Sequence, residues 1–500
     1  MATLPDIVNY RANLQTSEFP FLSELQGRSV ILPGIDQEQS LGQAYYMHNV
    51  LPTQKGYTSV GYLNLAVAPA DSDGTFAQKL KIRDASDNSA YLGRTSSGRN
   101  YIFLSTGIGW IRTTDVAIPA GEIVTSAYVN GVTYICFGST NVYKYDFATN
   151  TLVLVVLTGL AANQVKGIAA ASGYMVAWKA QQVGWSSLID PTDFVPSLVT
   201  GAGGGNIQNT KASIVLCAPQ NTGFIIYTKE NAVCALSTGN TSFPFTFKDV
   251  QGAGGIPSAS MVSFDGNSAS HVIYSTAGLQ QITTNVSLVI HPQLTDFIAG
   301  SQFEDYDESS KEFITLPLNG PMKKKITIVA NRYLVFSYGI AALTHALVFD
   351  ISLNRWGKLK FTHVDCFELV LPSSDVIDTP KRSIGFLTAD GNIFTSVSSY
   401  DTAGSNGVIL LGKYQLDRNR MSSLQELTVE SIRQGQILNV TMIKTMDGIT
   451  KETYTPYLAK SVTTFRQYNA NEAGLNHSVL FQGAFHLTSL QFKFVDEGEA

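Results

Sequence analysis

Short apolar runs separated by polar turns fill the chain from about residue 90 to residue 400. Between Val132 and Val156 the sequence reads TYICFG, STN, VYKYDF, ATN and TLVLVV in succession. Stretches rich in β-branched and aromatic residues, broken by small polar ones, predict three strands joined by tight turns, an antiparallel meander. The same grammar recurs from Gly173 (GYMVAWKAQQVGWSSL), Gly223 (GFIIYTKENAVCALS), His271 (HVIYSTAGLQQITT), Arg332 (RYLVFSY) and Ser383 (SIGFLTADGNIFTSVSS). An earlier unit spans Ala90 to Val116. The units follow one another at roughly 40 to 50 residues, the period of β-propeller blades. A lone blade cannot bury both of its faces, so repeated sheets pack radially and close into a ring. The expected fold is therefore all-β, with a β-propeller-like body of about six or seven antiparallel blades. Two stacked sandwiches would give a similar pattern, but the number of units favours the propeller.

Both ends of the chain depart from this grammar. The first 60 or so residues mix Pro, Gly and aromatics with little periodicity and read as an extended N-terminal arm. From about Ser405 longer stretches alternate apolar and polar positions: LQELTVES, QILNVTMIK and FHLTSLQFKFV. Alternation predicts strands with one buried face, hence a small C-terminal antiparallel β domain. Asp447-Gly448 predicts a type I′ hairpin turn within it. The expected organisation is an arm over 1–60, a propeller-like body over 61–404 and a β domain over 405–500.

Composition narrows the function classes. Of 500 residues, 15% are charged, against about 25% in ordinary soluble domains. Broad protein interfaces are depleted in Lys, Glu and Asp, but all-β proteins also favour Thr, Ser, Asn and Gly, so both explanations stand. The net charge of -5, without a basic face, argues against tight binding to nucleic-acid phosphates. Cys136, Cys217, Cys234 and Cys366 form no CxxC and have no nearby His at metal-ligand spacing. They read as buried small hydrophobes of a protein assembled in a reducing cytosol, although Cys217 and Cys234 could face each other on paired strands. MATLPDIVNYRANLQ lacks the features of a secretory leader. Thr151 to Ala162, the most apolar run, is too short to span a membrane.

No catalytic, cofactor-binding or metal-binding set emerges. Asp190/Asp193 and Glu304/Asp305/Asp307/Glu308 are tight acidic clusters of the kind found in turns and on solvated faces, whereas acid–base pairs need a frame that holds them apart. The seven histidines are scattered. GAGGGN at 201–206 and GAGG at 252–255 lack the Lys-Ser/Thr of a phosphate-binding loop and read as loops. The basic run at 322–325 reads as a solvated turn. TMDGIT at 445–450 is only a loose echo of the Asp-box of sialidase propellers, because its Gly directly follows the Asp.

A resemblance runs through these features in order. Tyr45-Tyr-Met-His-Asn-Val-Leu-Pro52 is followed by Gly61-Tyr62, then by Gly173-Tyr-Met-Val-Ala-Trp178, Trp185 and Asp190-Pro191. Gly223-Phe-Ile-Ile-Tyr227 with Asn231, Val348-Phe-Asp350 with Trp356, and Leu427-Thr-Val-Glu430-Ser431 complete it. The series resembles the tail hub, or nozzle, proteins of short-tailed bacteriophages, also called packaged-DNA stabilisation proteins. The resemblance is diffuse and covers about residues 45 to 495. It implies a non-enzymatic virion protein of the phage tail, assembled in the bacterial cytoplasm. It also implies a homo-oligomer, a hexameric ring below the portal and head-to-tail adaptor. That ring would retain packaged double-stranded DNA, form the channel for its ejection, and carry spikes or fibres. On this reading Asp305, Asp307 and Glu308 are candidates to face the lumen. The alternatives are a propeller glycosidase or depolymerase, which would need an inward-facing acid pair with Arg or Tyr, and a generic propeller interaction scaffold.

Overall fold

A computed structural model describes residues 7–13, 30–31, 44–70, 76–83, 89–104, 109–116, 124–138, 141–160, 165–264, 270–292, 294, 302–307, 312–317, 323–371, 381–398, 407–415, 420–431, 438–446, 451–461 and 465–499. Five consecutive segments each fold into a four-stranded antiparallel meander whose strands pair in chain order. Blade 1 comprises Phe76–Arg83, Ser89–Thr95, Asn100–Leu104 and Gly109–Arg112. Blade 2 is Val124–Val129, Val132–Phe137, Val142–Asp146 and Thr151–Val155, so the meander read from the sequence forms its outer three strands. Blade 3 is Gly167–Ala171, Tyr174–Lys179, Gln182–Trp185 and Gly203–Asn206. Blade 4 is Ile214–Gln220, Gly223–Thr228, Ala232–Ser237 and Phe245–Asp249. Blade 5 is Val262–Ser263, His271–Ser275, Gly278–Ile282 and Ser287–Val289.

A hairpin, Gln302–Asp307 with Glu312–Pro317, precedes blade 6, which is Lys323–Val329, Tyr333–Gly339, Leu343–Asp350 and Arg355–His363. Blade 7 takes three strands from Asp365–Leu371, Lys381–Leu387 and Ile393–Ser398. Its fourth strand, Tyr57–Ala66, comes from the other end of the chain and pairs antiparallel with Ile393–Ser398.

Ring closure follows from where the apolar side chains go. Strands in the middle of a blade are covered on both faces, so they read as continuous apolar runs rather than alternating ones. In Gly223–Thr228 every residue is buried. Phe224 and Ile226 pack towards blade 3, while Ile225 and Tyr227 pack towards blade 5. A separate apolar core fills each of the seven interfaces: blades 1 and 2, 2 and 3, 3 and 4, 4 and 5, 5 and 6, 6 and 7, and 7 and 1. The last of these seats Phe367, Leu387 and Ile393 against Phe76, Tyr91, Tyr101 and Phe103. First strands of neighbouring blades lie against one another, which puts them at the centre. The body is thus a closed seven-bladed β-propeller.

The second domain is a β-sandwich. One sheet is built on Gly407–Gln415, Asn476–Gly483, Leu438–Thr445 and Lys451–Tyr454, with Ala44–His48 and Val30–Ile31 on the other side of Gly407–Gln415. The facing strands are Ile7–Asn13, His486–Glu499, Arg420–Ser431, Phe465–Gly474 and Tyr457–Ser461. Between them lies one core, with Ile409, Val440 and Phe481 on one side and Leu427, Leu490 and Phe492 on the other.

Several expectations need correction. The described parts of residues 1–60 are not a separate arm. Ile7–Asn13 and Ala44–His48 are sandwich strands, Val50–Pro52 pairs with blade 6, and Tyr57 onward closes blade 7. Their missing periodicity reflects service in both sandwich sheets and in two blades within a short stretch. Gly203–Asn206 is the outer strand of blade 3, not a loop. Lys323–Val329 is the inner strand of blade 6, not a solvated turn. In the sandwich, Leu438–Thr445 pairs with Lys451–Tyr454 as the expected hairpin, while the turn at Asp447-Gly448 lies outside the described residues. Cys217 and Cys234 lie on the first and third strands of blade 4, facing different neighbours, and all four cysteines are buried thiols that form no disulfide.

Candidate functional site

Polar chemistry concentrates at two places, the junction between the domains and the seam where the ring closes. At the junction, Asn49 adopts a left-handed backbone with φ of 51°, a conformation that Asn tolerates better than most residues. Its Oδ1 accepts hydrogen bonds from the Tyr62 hydroxyl at 2.8 Å and the Lys360 amide at 2.9 Å. The Asn49 carbonyl accepts from the amide of Val60 at 2.8 Å. Asn49 therefore ties blade 6 to the strand that closes blade 7. Ser59, fully buried, is bonded twice over to Phe485: its amide donates to the Phe485 carbonyl at 2.9 Å, and its hydroxyl accepts from the Phe485 amide at 2.7 Å. Arg355 donates to the Thr53 carbonyl at 2.7 Å, and the Lys358 ammonium sits 4.8 Å from the centre of the Tyr46 ring. Asn49 and Tyr62 both belong to the sequence pattern on which the family resemblance rests.

At the seam, the Tyr91 hydroxyl of blade 1 donates to the Asp365 carboxylate of blade 7, and the Lys325 ammonium of blade 6 pairs with the same carboxylate. The Tyr91 ring stacks on Phe367, with centroids 3.9 Å apart. Burial, reinforced by the Asp365 charge, pushes the Tyr91 phenol well above its ordinary range, so its proton stays on the oxygen and can be donated. A neighbouring pair, Arg382 with Glu368 at 2.6 Å, adds a second ionic contact within blade 7. A carboxylate, a tyrosine and a cation are the ingredients that a propeller glycosidase would need. Here Tyr91 is 3% exposed and Asp365 1% exposed, and three blades meet over them. Buried ion pairs add little net stability, but removing one partner costs several kcal/mol. In this arrangement the set fixes how the last blades seat against the first. No local signal could reveal it, because Tyr91 and Asp365 are 274 residues apart.

The residues singled out from the sequence fall elsewhere. Asp305 and Asp307 lie on the hairpin between blades 5 and 6, opposite Ile314 and Glu312, while Glu308 lies outside the described residues. Asp190 caps a turn, accepting from the amide and hydroxyl of Thr192 at 2.8 and 2.7 Å. Asp193 accepts from the amide of Val195 at 3.0 Å. Among the described residues, no group of three His, Cys, Asp or Glu side chains is placed to hold a metal ion.

The surface carries a feature that composition only hinted at. The long connection between the last two strands of blade 3 is pinned by Leu188 N to Thr200 O, Ser187 N to Asp193 O and Trp185 Nε1 to Gly201 O. It holds Ile189, Leu198 and Val199 out to solvent, with Ile189 79% and Val199 84% exposed. Phe243, on the corresponding connection of blade 4, is 71% exposed.

No family model matches the chain, and no curated protein matches it. Among solved structures, the chain is similar to the WD40 β-propeller domain of Doa1, at 9% identity and a TM-score of 0.38, covering 68% of this chain and 97% of that one. It is also similar to BamB from Moraxella catarrhalis, at 10% identity and a TM-score of 0.34, covering 67% and 96%. U3-55K aligns at 7% identity and a TM-score of 0.43, covering 67% and 98%. The propeller assignment itself stands on the sheets and the seven inter-blade cores.

Proposed function

We propose that the chain is a structural subunit of a phage tail hub or nozzle, a six-membered ring below the portal and adaptor. The ring retains packaged DNA, forms the channel for its ejection, and supports spikes or fibres. One observation carries the reading: residues of the family-like pattern are framework residues in both domains, and two of them, Asn49 and Tyr62, meet where the domains join. Asn49 bonds Tyr62 across the junction. Asp350 holds the turn of blade 6 through Ser352 and pairs with Arg332 at 2.7 Å. Trp356 fills the core between blades 5 and 6, and Leu427 and Val429 fill the sandwich core. The pattern thus falls on residues that hold each domain together and, at Asn49 and Tyr62, hold the domains to each other, as expected of a protein whose work is mechanical. The exposed apolar side chains of blades 3 and 4 support the same reading, since exposed apolar surface marks contacts with other chains.

Imaging of the purified protein and of the particle that contains it tests the proposal. The expected result is a six-fold ring with a central channel and no salt-sensitive affinity for duplex DNA. A lone monomer inside the particle, a trimeric spike, or cleavage of polysaccharide by the purified protein would overturn it.

A further inference from the structure

We propose that the sandwich is the clasp of the propeller: the ring stays closed only while the last strand of the sandwich holds the strand that completes blade 7. Tyr57–Ala66 is one continuous strand with two attachments. Its later residues, Val60 to Ala66, pair with Ile393–Ser398 as the outer strand of blade 7. Its first residues are gripped on both sides, by Val50–Pro52 and by His486–Leu487 at the start of the final sandwich strand. Among the described residues this strand has a single paired neighbour along the blade, so its hold there is that of an edge strand added to a three-stranded sheet. The remaining hold comes from the junction, where Ser59 meets Phe485 in a fully buried setting and Val60 and Tyr62 bond to Asn49.

The contact has no slack. A Cβ on Gly56 would stand 2.0 Å from the Leu487 carbonyl oxygen, and one on Gly407 would stand 2.4 Å from the Ser59 Cβ. Main chain therefore lies on main chain, with no flexible side chain to absorb a shift. A displacement of residues 485–487 is carried by a stiff strand into blade 7. Val60 and Ala66 belong to the cores between blades 6 and 7 and between blades 7 and 1, so withdrawing the strand loosens both interfaces of that blade. A binding event on the sandwich can thereby open the ring at one predetermined place, leaving blades 2 to 4 closed.

Hydrogen exchange on the full-length protein, read by mass spectrometry, tests this with two variants. Gly56→Ala wedges the junction, and Ser59→Ala removes only the hydroxyl. The expected result for each is faster exchange, by about tenfold or more as for a sub-global opening, in Val60–Ala66 and Ile393–Ser398. Residues 124–249 keep wild-type protection. If Gly56→Ala does not fold, Ser59→Ala alone decides. Faster exchange confined to 56–59 and 485–487, with Ile393–Ser398 as protected as in wild type, overturns the proposal. Uniformly faster exchange around all seven blades overturns it too, because the effect would then be global destabilisation.

Discussion

The propeller and the sandwich solve the same problem, covering both faces of a sheet, with opposite use of the chain. In the propeller each sheet is nearly contiguous in sequence, and six of the seven blades take all four strands from one unbroken segment. The sandwich draws its strands from both ends of the chain, so that Ile7 pairs with Val495 and Met47 with Ile409. The propeller divides its apolar burial among seven interfaces, whereas the sandwich places most of its own in one central core, with a smaller cluster of Tyr46, Val408, Leu410, Ile443 and Leu480 on the outer face of one sheet. Damage to one blade interface should therefore remain local, while damage to the sandwich should reach everything its strands touch. That includes the propeller, through the strand Tyr57–Ala66.

The severest way to break this comparison is to delete residues 1–60. The deletion removes strands from both sheets of the sandwich and the anchored start of the closing strand. We expect no cooperative unfolding transition and no monodisperse species by size-exclusion chromatography. A soluble, cooperatively folding truncation would show that the domains are independent after all. A sharper comparison sets Phe492→Ala in the sandwich beside Phe224→Ala between blades 3 and 4. Each should cost about 3–5 kcal/mol, read by denaturant unfolding. Only Phe492→Ala should also raise protease sensitivity in Ile393–Ser398.

Acid provides a milder probe that reaches both domains at once. His271 is buried in the propeller, with Nδ1 2.8 Å from the Tyr227 hydroxyl and Nε2 2.8 Å from the Pro219 carbonyl. His477 in the sandwich lies 2.9 Å from the Ser422 carbonyl through Nε2. Burial lowers each imidazole from 6.5 to about 4, outweighing the hydrogen bonds that pull the other way. Both are neutral in the fold, so between pH 6.5 and 4 the unfolded chain binds the extra protons. Stability is complete above 6.5 and declines as the pH falls through that window, by roughly 3 kcal/mol per histidine at the acid end. His271→Gln should flatten about half of that pH dependence in chemical denaturation series; an unchanged slope would refute the assignment. The smallest effect is expected at the surface. Arg112 pairs with Asp115 at 2.8 Å with both side chains nearly half exposed, and Arg112→Ala should change stability by less than about 1 kcal/mol.

The same contrast explains what the sequence reveals and what it hides. Blades such as Val132–Phe137 with Val142–Asp146 and Thr151–Val155 are visible because each turn joins strands that pair directly, leaving a local rhythm of apolar run and polar turn. Inner strands such as Gly167–Ala171 are harder to see, since small residues suffice near the crowded axis. The alternation in Arg420–Ser431 and His486–Glu499 is visible too, because one face of each meets the sandwich core. The partners are not visible. Nothing near Tyr57 points to Leu487, and nothing near Tyr91 points to Asp365. Pairings over hundreds of residues are fixed by the three-dimensional ring and leave no spacing to read. Of the candidate residues, Asn49 and Tyr62 stood out only through the family-like pattern, and the Lys325 pairing was concealed inside what looks like a basic turn.

The clasp strand also sets a timetable for synthesis. Tyr57–Ala66 leaves the ribosome early, yet its partner Ile393–Ser398 is made more than three hundred residues later. At about 5–20 residues per second, the nascent chain carries Val60–Ala66 without its blade 7 partner for some tens of seconds while blades 1 to 6 form one after another. Ile7–Asn13 waits longer still, until the final strand is complete. The cell must therefore shelter Ile7–Asn13 and Val60–Ala66 until the strands that pair with them exist.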